Sequence, residues 1–210
     1  MTAKVDKWTA RLPERWDRNI AVILAHGAGQ GMNSPFMKFF HDALPGRGLV
    51  SVQFNFEYMN IGRKIPDPQP KMQALYRQVV EEVAEVHRPA RIIIGGKSMG
   101  GRVASYIAED TRQVHGLAFL GYPLHPPGKQ DQMRDAHLYE ISLPMLFLSG
   151  TRDTFAQRPL LQKVIDRIGE RATLVWTEGG DHSLKAGRTG TATLEAAADT
   201  LAAWARERVG

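Results

Sequence analysis

The chain predicts an α/β fold, a mainly parallel central sheet with helices on both faces. Three observations carry this. A continuous apolar run of strand length stands at 20–25, and largely apolar ones recur at 91–95, 114–120 and 144–150, as strands buried on both faces require. Segments with apolar residues at helical spacing alternate with them, the order that joins parallel strands through crossover helices. Glycine-rich or polar stretches follow these strands, and in such sheets ligands sit at the carboxyl ends. At 210 residues, with no repeat or linker, the chain is expected to form one domain, 1–210.

Taken in order, residues 2–19 are polar and weakly patterned, with room for one edge strand before Leu12-Pro13 and a charged turn. The run 20–25 opens into His26-Gly27-Ala28-Gly29-Gln30-Gly31, a loop whose backbone N–H groups can face a ligand. Ser34-Pro35 supplies an N-cap and a first-turn proline, Phe36, Phe39, Phe40 and Ala43 an apolar face, and Pro45-Gly46 a stop. Residues 49–56 alternate as the next strand. Gly62, Pro66, Pro68 and Pro70 make 57–70 a loop. Met72, Leu75, Val79, Val83 and Val86 then mark a long amphipathic helix that ends at Arg88-Pro89.

The next stretch organises the rest. A β-branched run reaches Gly95, the pattern Gly96-x-Ser98-x-Gly100 follows, and Met99, Val103, Tyr106 and Ile107 return at near-helical spacing. Strand, sharp turn and helix with a serine at the apex describe a nucleophile elbow, whose glycines let strand and helix approach. The pattern alone would arise by chance in about one such chain in fifteen, so its weight depends on partners elsewhere.

Those partners come from the second half. Residues 114–120 form a strand, and 122–143, rich in proline, histidine and charge, leave room for one short helix near 133–139. The strand at 144–150 is followed by Thr151-Arg152-Asp153. Leu160, Leu161, Val164, Ile165 and Ile168 predict a helix ended by Gly169. Residues 172–176 make the last strand, followed by Glu178-Gly179-Gly180-Asp181-His182, and Leu194, Ala197, Ala198, Leu201 and Trp204 mark a closing helix.

Ser98, Asp153 and His182 thus fall at three strand ends. A serine hydroxyl needs an imidazole to take its proton, and the imidazole needs a carboxylate to fix its tautomer. Ser, Asp, His is also the chain order of α/β-hydrolases. Separately, Asp153 reads as a turn aspartate and His182 as a loop histidine; jointly they read as a catalytic triad. Asp181 competes for the acid role, but adjacent side chains on extended chain point to opposite faces, which favours Asp153. Acyl transfer also needs donors for a developing oxyanion. The backbone N–H groups of Met99, just after the serine, and of Ala28 in the early loop are the candidates, with His26 a structural residue whose ring is hydrogen-bonded.

Composition narrows the alternatives. There is no cysteine, which excludes disulfides, a thiol nucleophile and cysteine metal sites. The net charge of +5 comes from scattered Lys and Arg with acids between them, so no nucleic-acid partner is expected. No apolar run approaches the roughly 18 residues of a membrane span, and the first sixteen residues lack the apolar core of a signal peptide. A cytoplasmic location without membrane association is expected. Gly96-Lys97-Ser98 matches the end of a P-loop, but Arg91 stands where that pattern needs glycine. Gly27-x-Gly29 begins a dinucleotide fingerprint, yet Met32 occupies its third glycine position. No cofactor and no metal are expected.

The sequence resembles the small α/β-hydrolase family that includes testis-expressed protein thirty and the hydrolase-like domain of the third regulatory subunit of the non-specific lethal acetyltransferase complex. The likeness runs over nearly all of the chain after residue 20. It rests on His26-Gly27-Ala28-Gly29 with Met32 and Ser34-Pro35-Phe36-Met37, on Gly95-Gly96-Lys97-Ser98-Met99-Gly100-Gly101-Arg102, on Gly150-Thr151-Arg152-Asp153, and on Gly180-Asp181-His182-Ser183-Leu184-Lys185. The resemblance implies a dienelactone-hydrolase-like α/β-hydrolase fold with Ser98, Asp153 and His182 on the triad positions. Lys97, Arg102 and Lys185 also match family positions, either favouring an anionic group near the site or standing as solvated charges beside tight turns.

The expected function is a serine hydrolase acting on a small-molecule ester or thioester. Two alternatives stay open: a catalytically silent binding or scaffold protein with a protein partner, which the family's members in complexes suggest, and an acyltransferase. About twenty residues separate the strands at 114–120 and 144–150, too few for a full lid domain. An open site walled by 122–129 and 57–70 is expected.

Overall fold

The computed structural model describes residues 8–15, 19–188 and 190–210. Seven strands form one sheet: β1 (Trp8–Arg11), β2 (Ile20–Ala25), β3 (Val50–Phe54), β4 (Arg91–Lys97), β5 (Val114–Leu120), β6 (Met145–Gly150) and β7 (Ala172–Thr177). Their spatial order is β1-β3-β2-β4-β5-β6-β7. Only β1 runs antiparallel, pairing Trp8 with Phe54 through Arg11 with Ser51. The helices are α1 (Pro35–Ala43), α2 (Glu57–Asn60), α3 (Gln69–His87), α4 (Met99–Ser105), α5 (Arg158–Ile168) and α6 (Thr191–Arg208).

The strand sequences explain the layers. Side chains alternate faces along a strand. Ile92 and Ile94 of β4 join one core with Tyr76 and Val79 of α3, Val103 of α4 and Leu161 of α5. Ile93 joins a second core with Phe40 of α1 and Leu201 and Trp204 of α6. Buried on both sides, β2, β3 and β6 carry no exposed residue. Edge strand β7 is half-buried throughout. Tyr76 reaches through the first core: its hydroxyl lies 2.7 Å from Ile23 O and 2.7 Å from Gly95 O, and accepts from Gly95 N at 2.9 Å.

The expected elements are present, with local corrections. The loop at 57–70 contains a single helical turn, α2. Helix α3 starts at Gln69 rather than Met72 because Pro70 sits in its first turn, where a missing N–H costs nothing. The strand expected at 49–56 is shorter, since Phe56 is the extended residue that caps α2. Helix α4 stops at Ser105, and the short helix near 133–139 is a 3-10 turn, Ala136–Glu140. The edge strand is β1; the charged turn after it falls partly outside the described residues. Residues 121–144 hold that one 3-10 turn and no α-helix. Among the described residues, no helix is long and apolar enough to cross a membrane.

Strand order reverses between β2 and β4. After β2 the chain adds β3 on one side and β4 on the other, which opens a crevice at their carboxyl ends, where open α/β sheets bind ligands. His26 to Ala28 leave β2 there, and Ser98 leaves β4.

Candidate active site

The serine is presented by backbone geometry. Ser98 has φ 51° and ψ −115°, a conformation that costs a non-glycine residue about 1–3 kcal/mol. Its N–H donates to Leu120 O at 3.3 Å, and its carbonyl accepts from Arg102 N at 3.1 Å, so β5 and α4 hold the turn from both sides. A Cβ on Gly100 would lie 2.2 Å from Ala25 O. Glycine there is what lets α4 run against β2.

The other two residues arrive on loops that cross. Gly150 ends β6, and a Cβ on it would lie 2.2 Å from Gly180 O and 2.4 Å from Asp181 O. Without that side chain, the loop after β7 packs directly on the loop after β6. Arg152 N donates to Gly180 O at 2.8 Å and Thr151 N to Thr177 O at 3.0 Å. Asp153 and His182 are brought together by this contact.

The three side chains form one hydrogen-bonded chain. His182 Nε2 lies 2.8 Å from Ser98 Oγ, and Nδ1 lies 2.8 Å from Asp153 Oδ2. A carboxylate only accepts, so Nδ1 carries the proton and Nε2 accepts from the serine hydroxyl. The Asp153 side chain is fully buried while His182 keeps partial exposure. Asp153 Oδ1 accepts from Phe155 N at 2.8 Å, and the Phe155 ring lies against the imidazole with centroids 4.3 Å apart. Asp181 is used otherwise: its Oδ1 accepts from Ser183 N at 2.7 Å and from Lys185 N at 3.1 Å, shaping the loop that carries His182.

The early loop lies beside the serine. A Cβ on Gly27 would be 3.7 Å from Ser98 Cβ. His26, fully buried, donates from Nδ1 to Gly27 O at 2.8 Å and accepts from Phe56 N at Nε2 at 3.1 Å. Both contacts require the neutral ring, and burial pushes its pKa down to about 4 against the opposing pull of Gly27 O. The peptide between Gly27 and Ala28 is trans and planar. With its carbonyl turned to His26, its Ala28 N–H points the opposite way. Ala28 is exposed, and Met99, first in α4, has an N–H with no acceptor inside the helix.

Three other contacts were not legible in the chain. Lys97 is buried, 4% exposed, with its ammonium donating to the carbonyl of His182 and lying 5.3 Å from the Phe36 ring centroid. It is thus no solvated charge, whereas Lys185 is exposed. His125, fully buried, ties 121–144 to the Asp153 loop: its N donates to Phe155 O at 3.0 Å and its Nε2 accepts from Gln157 N at 3.3 Å. His137 lies 2.8 Å from Ser105 Oγ. A local hydrogen-bonding pattern could not have revealed these residues, because the partners His182, Phe155, Gln157 and Ser105 come from other elements. The expected walls are present in part. Pro127 and Gly128 line a cavity of about 480 Å³ with Arg152 and Asp153, and Lys64 O approaches Gly29. Among the described residues no group of three His, Asp or Glu side chains is placed to hold a metal.

Solved structures share this architecture. An α/β serine hydrolase homologue from Coxiella burnetii superposes with a TM-score of 0.74 at 18% identity, covering 93% of this chain and 89% of that one. A serine hydrolase without a lid from Xanthomonas campestris gives 0.74 at 18%, covering 96% and 88%. Dienelactone hydrolase from Anabaena variabilis gives 0.75 at 16%, covering 97% and 92%. At these identities the likeness is one of fold. Residues 18–209 match the family described as alpha/beta hydrolase domain, and that span includes every strand from β2 to β7 and all three groups of the hydrogen-bonded chain. The protein is therefore a member of the α/β hydrolase domain family.

Proposed function

We propose that the protein is a serine hydrolase that cleaves a small-molecule ester or thioester through an acyl-Ser98 intermediate. The observation that carries this reading is the unbroken chain Ser98 Oγ, His182 Nε2, His182 Nδ1, Asp153 Oδ2, with 2.8 Å at each contact. Esterases and serine hydrolases among the structural neighbours support the class.

The steps follow from the geometry. His182 Nε2 takes the Ser98 proton as Oγ bonds to the substrate carbonyl carbon, and buried Asp153 stabilises the imidazolium. The oxyanion that forms is met by the N–H groups of Met99 and Ala28; a single such donor is worth about 3–4 kcal/mol. Collapse breaks the bond to the leaving group, which takes the proton from His182. Water then repeats the sequence, with His182 as base and afterwards as acid, releasing the carboxylic acid and Ser98. An acceptor alcohol or amine in place of water would make the same intermediate an acyltransferase.

A fluorophosphonate probe tests the reading. The wild type is expected to label and Ser98→Ala to stay unlabelled. No labelling of folded wild type, or equal labelling of both, overturns it and favours the silent scaffold.

A further inference from the structure

We propose that Tyr58 is a positioning residue for the oxyanion donor: its hydroxyl, together with the ring of His26, clamps the two peptides on either side of Ala28 and so fixes where the Ala28 N–H points. The proposal deepens the hydrolase reading, on which its catalytic statement rests.

The turn that carries Ala28 cannot hold itself. Gln30 N donates to Gly27 O at 3.3 Å, closing a β-turn with Ala28 and Gly29 at its centre, and Gly29 has φ 68°. Residues 27, 29 and 31 are all glycine, which leaves this stretch many conformations to lose. Residues 28–30 are exposed, so packing does not fix them. A donor stabilises a developing oxyanion fully only if it is aimed beforehand. The aim has to come from outside the turn.

Side chains supply it at both ends. The Gly27–Ala28 peptide is held at its carbonyl by His26 Nδ1, 2.8 Å away. The Ala28–Gly29 peptide is held at its N–H, which donates to Tyr58 Oη at 3.3 Å. Each peptide is a rigid plane, so holding both planes fixes the two dihedrals of Ala28 and the direction of its N–H with them. The holding side chains also brace one another. The His26 and Tyr58 rings meet edge to face with centroids 5.8 Å apart, and His26 Nε2 accepts from Phe56 N, two residues before Tyr58. Asn55 adds a further hold, its Oδ1 accepting from Met32 N at 2.8 Å.

Tyr58 is itself anchored away from the turn it holds. Its N–H donates to Asp67 Oδ2 at 2.9 Å, and its carbonyl accepts from Arg63 N at 2.8 Å. Asp67 is buried, with its charge met by Arg63 at 2.5 Å and by Lys71 at 3.5 Å. The hydroxyl is thus a fixed point on the wall 57–70. Tyr58 is fully buried, so it does not touch substrate and acts through Ala28.

The test uses Tyr58→Phe, which keeps the ring against His26 and removes the oxygen. Gly29 is exposed, so its freed N–H can turn to water and the fold should hold. Activity on 4-nitrophenyl acetate is measured per site titrated with a fluorophosphonate, beside inhibition by octyl trifluoromethyl ketone, whose serine adduct places an oxyanion in the hole. We expect kcat to fall about tenfold to a hundredfold with KM within about twofold, and the inhibition constant of the ketone to rise by the factor lost in kcat/KM. A loss through KM alone, or an unchanged ketone affinity, overturns the positioning role. Amide exchange in the wild type needs no variant. The Gly29 N–H should exchange at least about tenfold more slowly than in an unfolded peptide, and this protection should vanish in Tyr58→Phe while that of Val22 in β2 persists. Exchange of wild-type Gly29 at the unfolded rate overturns the clamp. A wild type inert to probe, ester and ketone overturns the hydrolase reading instead, and protection of Gly29 by Tyr58 then leaves the clamp standing without a catalytic role.

Discussion

Lys97 donates from its buried ammonium to the backbone carbonyl of His182, so the residue before the serine holds the loop that carries the histidine. Burial pushes its pKa down to about 8, with Asp153 and Asp181 pulling the other way.

Replacing Lys97 by Met should therefore separate stability from activity. Below pH 8 the folded protein carries an ammonium whose burial costs about 3 kcal/mol relative to the unfolded chain. The lost bond to His182 O offsets about 1–2 kcal/mol of the relief. We expect a slightly higher unfolding midpoint at pH 7 and a kcat per titrated active site lowered about tenfold, with KM little changed. A lower midpoint with unchanged kcat would make Lys97 purely structural.

The two neighbouring aspartates should behave differently. Asp153→Asn no longer fixes the Nδ1–H tautomer of His182, and kcat should fall by about 10²–10⁴-fold. Asp181→Asn disturbs the turn in which its Oδ1 accepts from Ser183 N and Lys185 N and removes one of two carboxylates that favour the Lys97 ammonium; kcat should fall less than tenfold, with about 1 kcal/mol lost in urea unfolding. Equal losses of kcat would assign the acid role wrongly.

His26 makes stability depend on acid. Its folded pKa of about 4 lies below the ordinary 6.5, so between those values the unfolded chain binds a proton that the folded one refuses. Stability from this group is complete above pH 6.5 and is lost as pH falls to 4, about 3 kcal/mol in all. His26→Gln cannot titrate. The slope of unfolding free energy against pH should be shallower in that variant, and an unaltered slope would refute the assignment.

Gly100→Ala tests the approach of α4 to β2. In an ordinary helix the change would gain about 1 kcal/mol. Here the new Cβ meets Ala25 O at 2.2 Å, and overpacking against backbone should cost about 3 kcal/mol or more. Neutral or raised stability by calorimetry would show that the helix can move away.

What could be read from the chain was what is local. Apolar runs such as Ile20–Ala25 announced their strands, and Gly96-x-Ser98-x-Gly100 between a β-branched run and a helical one announced its turn. Asp153 and His182 were weak signals singly; their position after strands, in order, made them legible together. Pro70 misled because a proline that stops one helix also starts another. The burial of Lys97 stayed hidden, since nothing in Gly-Gly-Lys-Ser says which way the lysine turns. His125 and His137 take their meaning from segments about thirty residues away in sequence.

The crossing of backbone at Gly150 has a consequence for how such a protein can diverge. Because the loops bearing Asp153 and His182 touch main chain to main chain, neither can lengthen or drift without dragging the other. Among the described residues, the loop at 57–70 makes no main-chain hydrogen bond with either of them, so new specificities can be tried there by insertion and substitution while the reacting groups keep their spacing. Heritable variation is channelled to the part that selects a substrate and withheld from the part that would cut it.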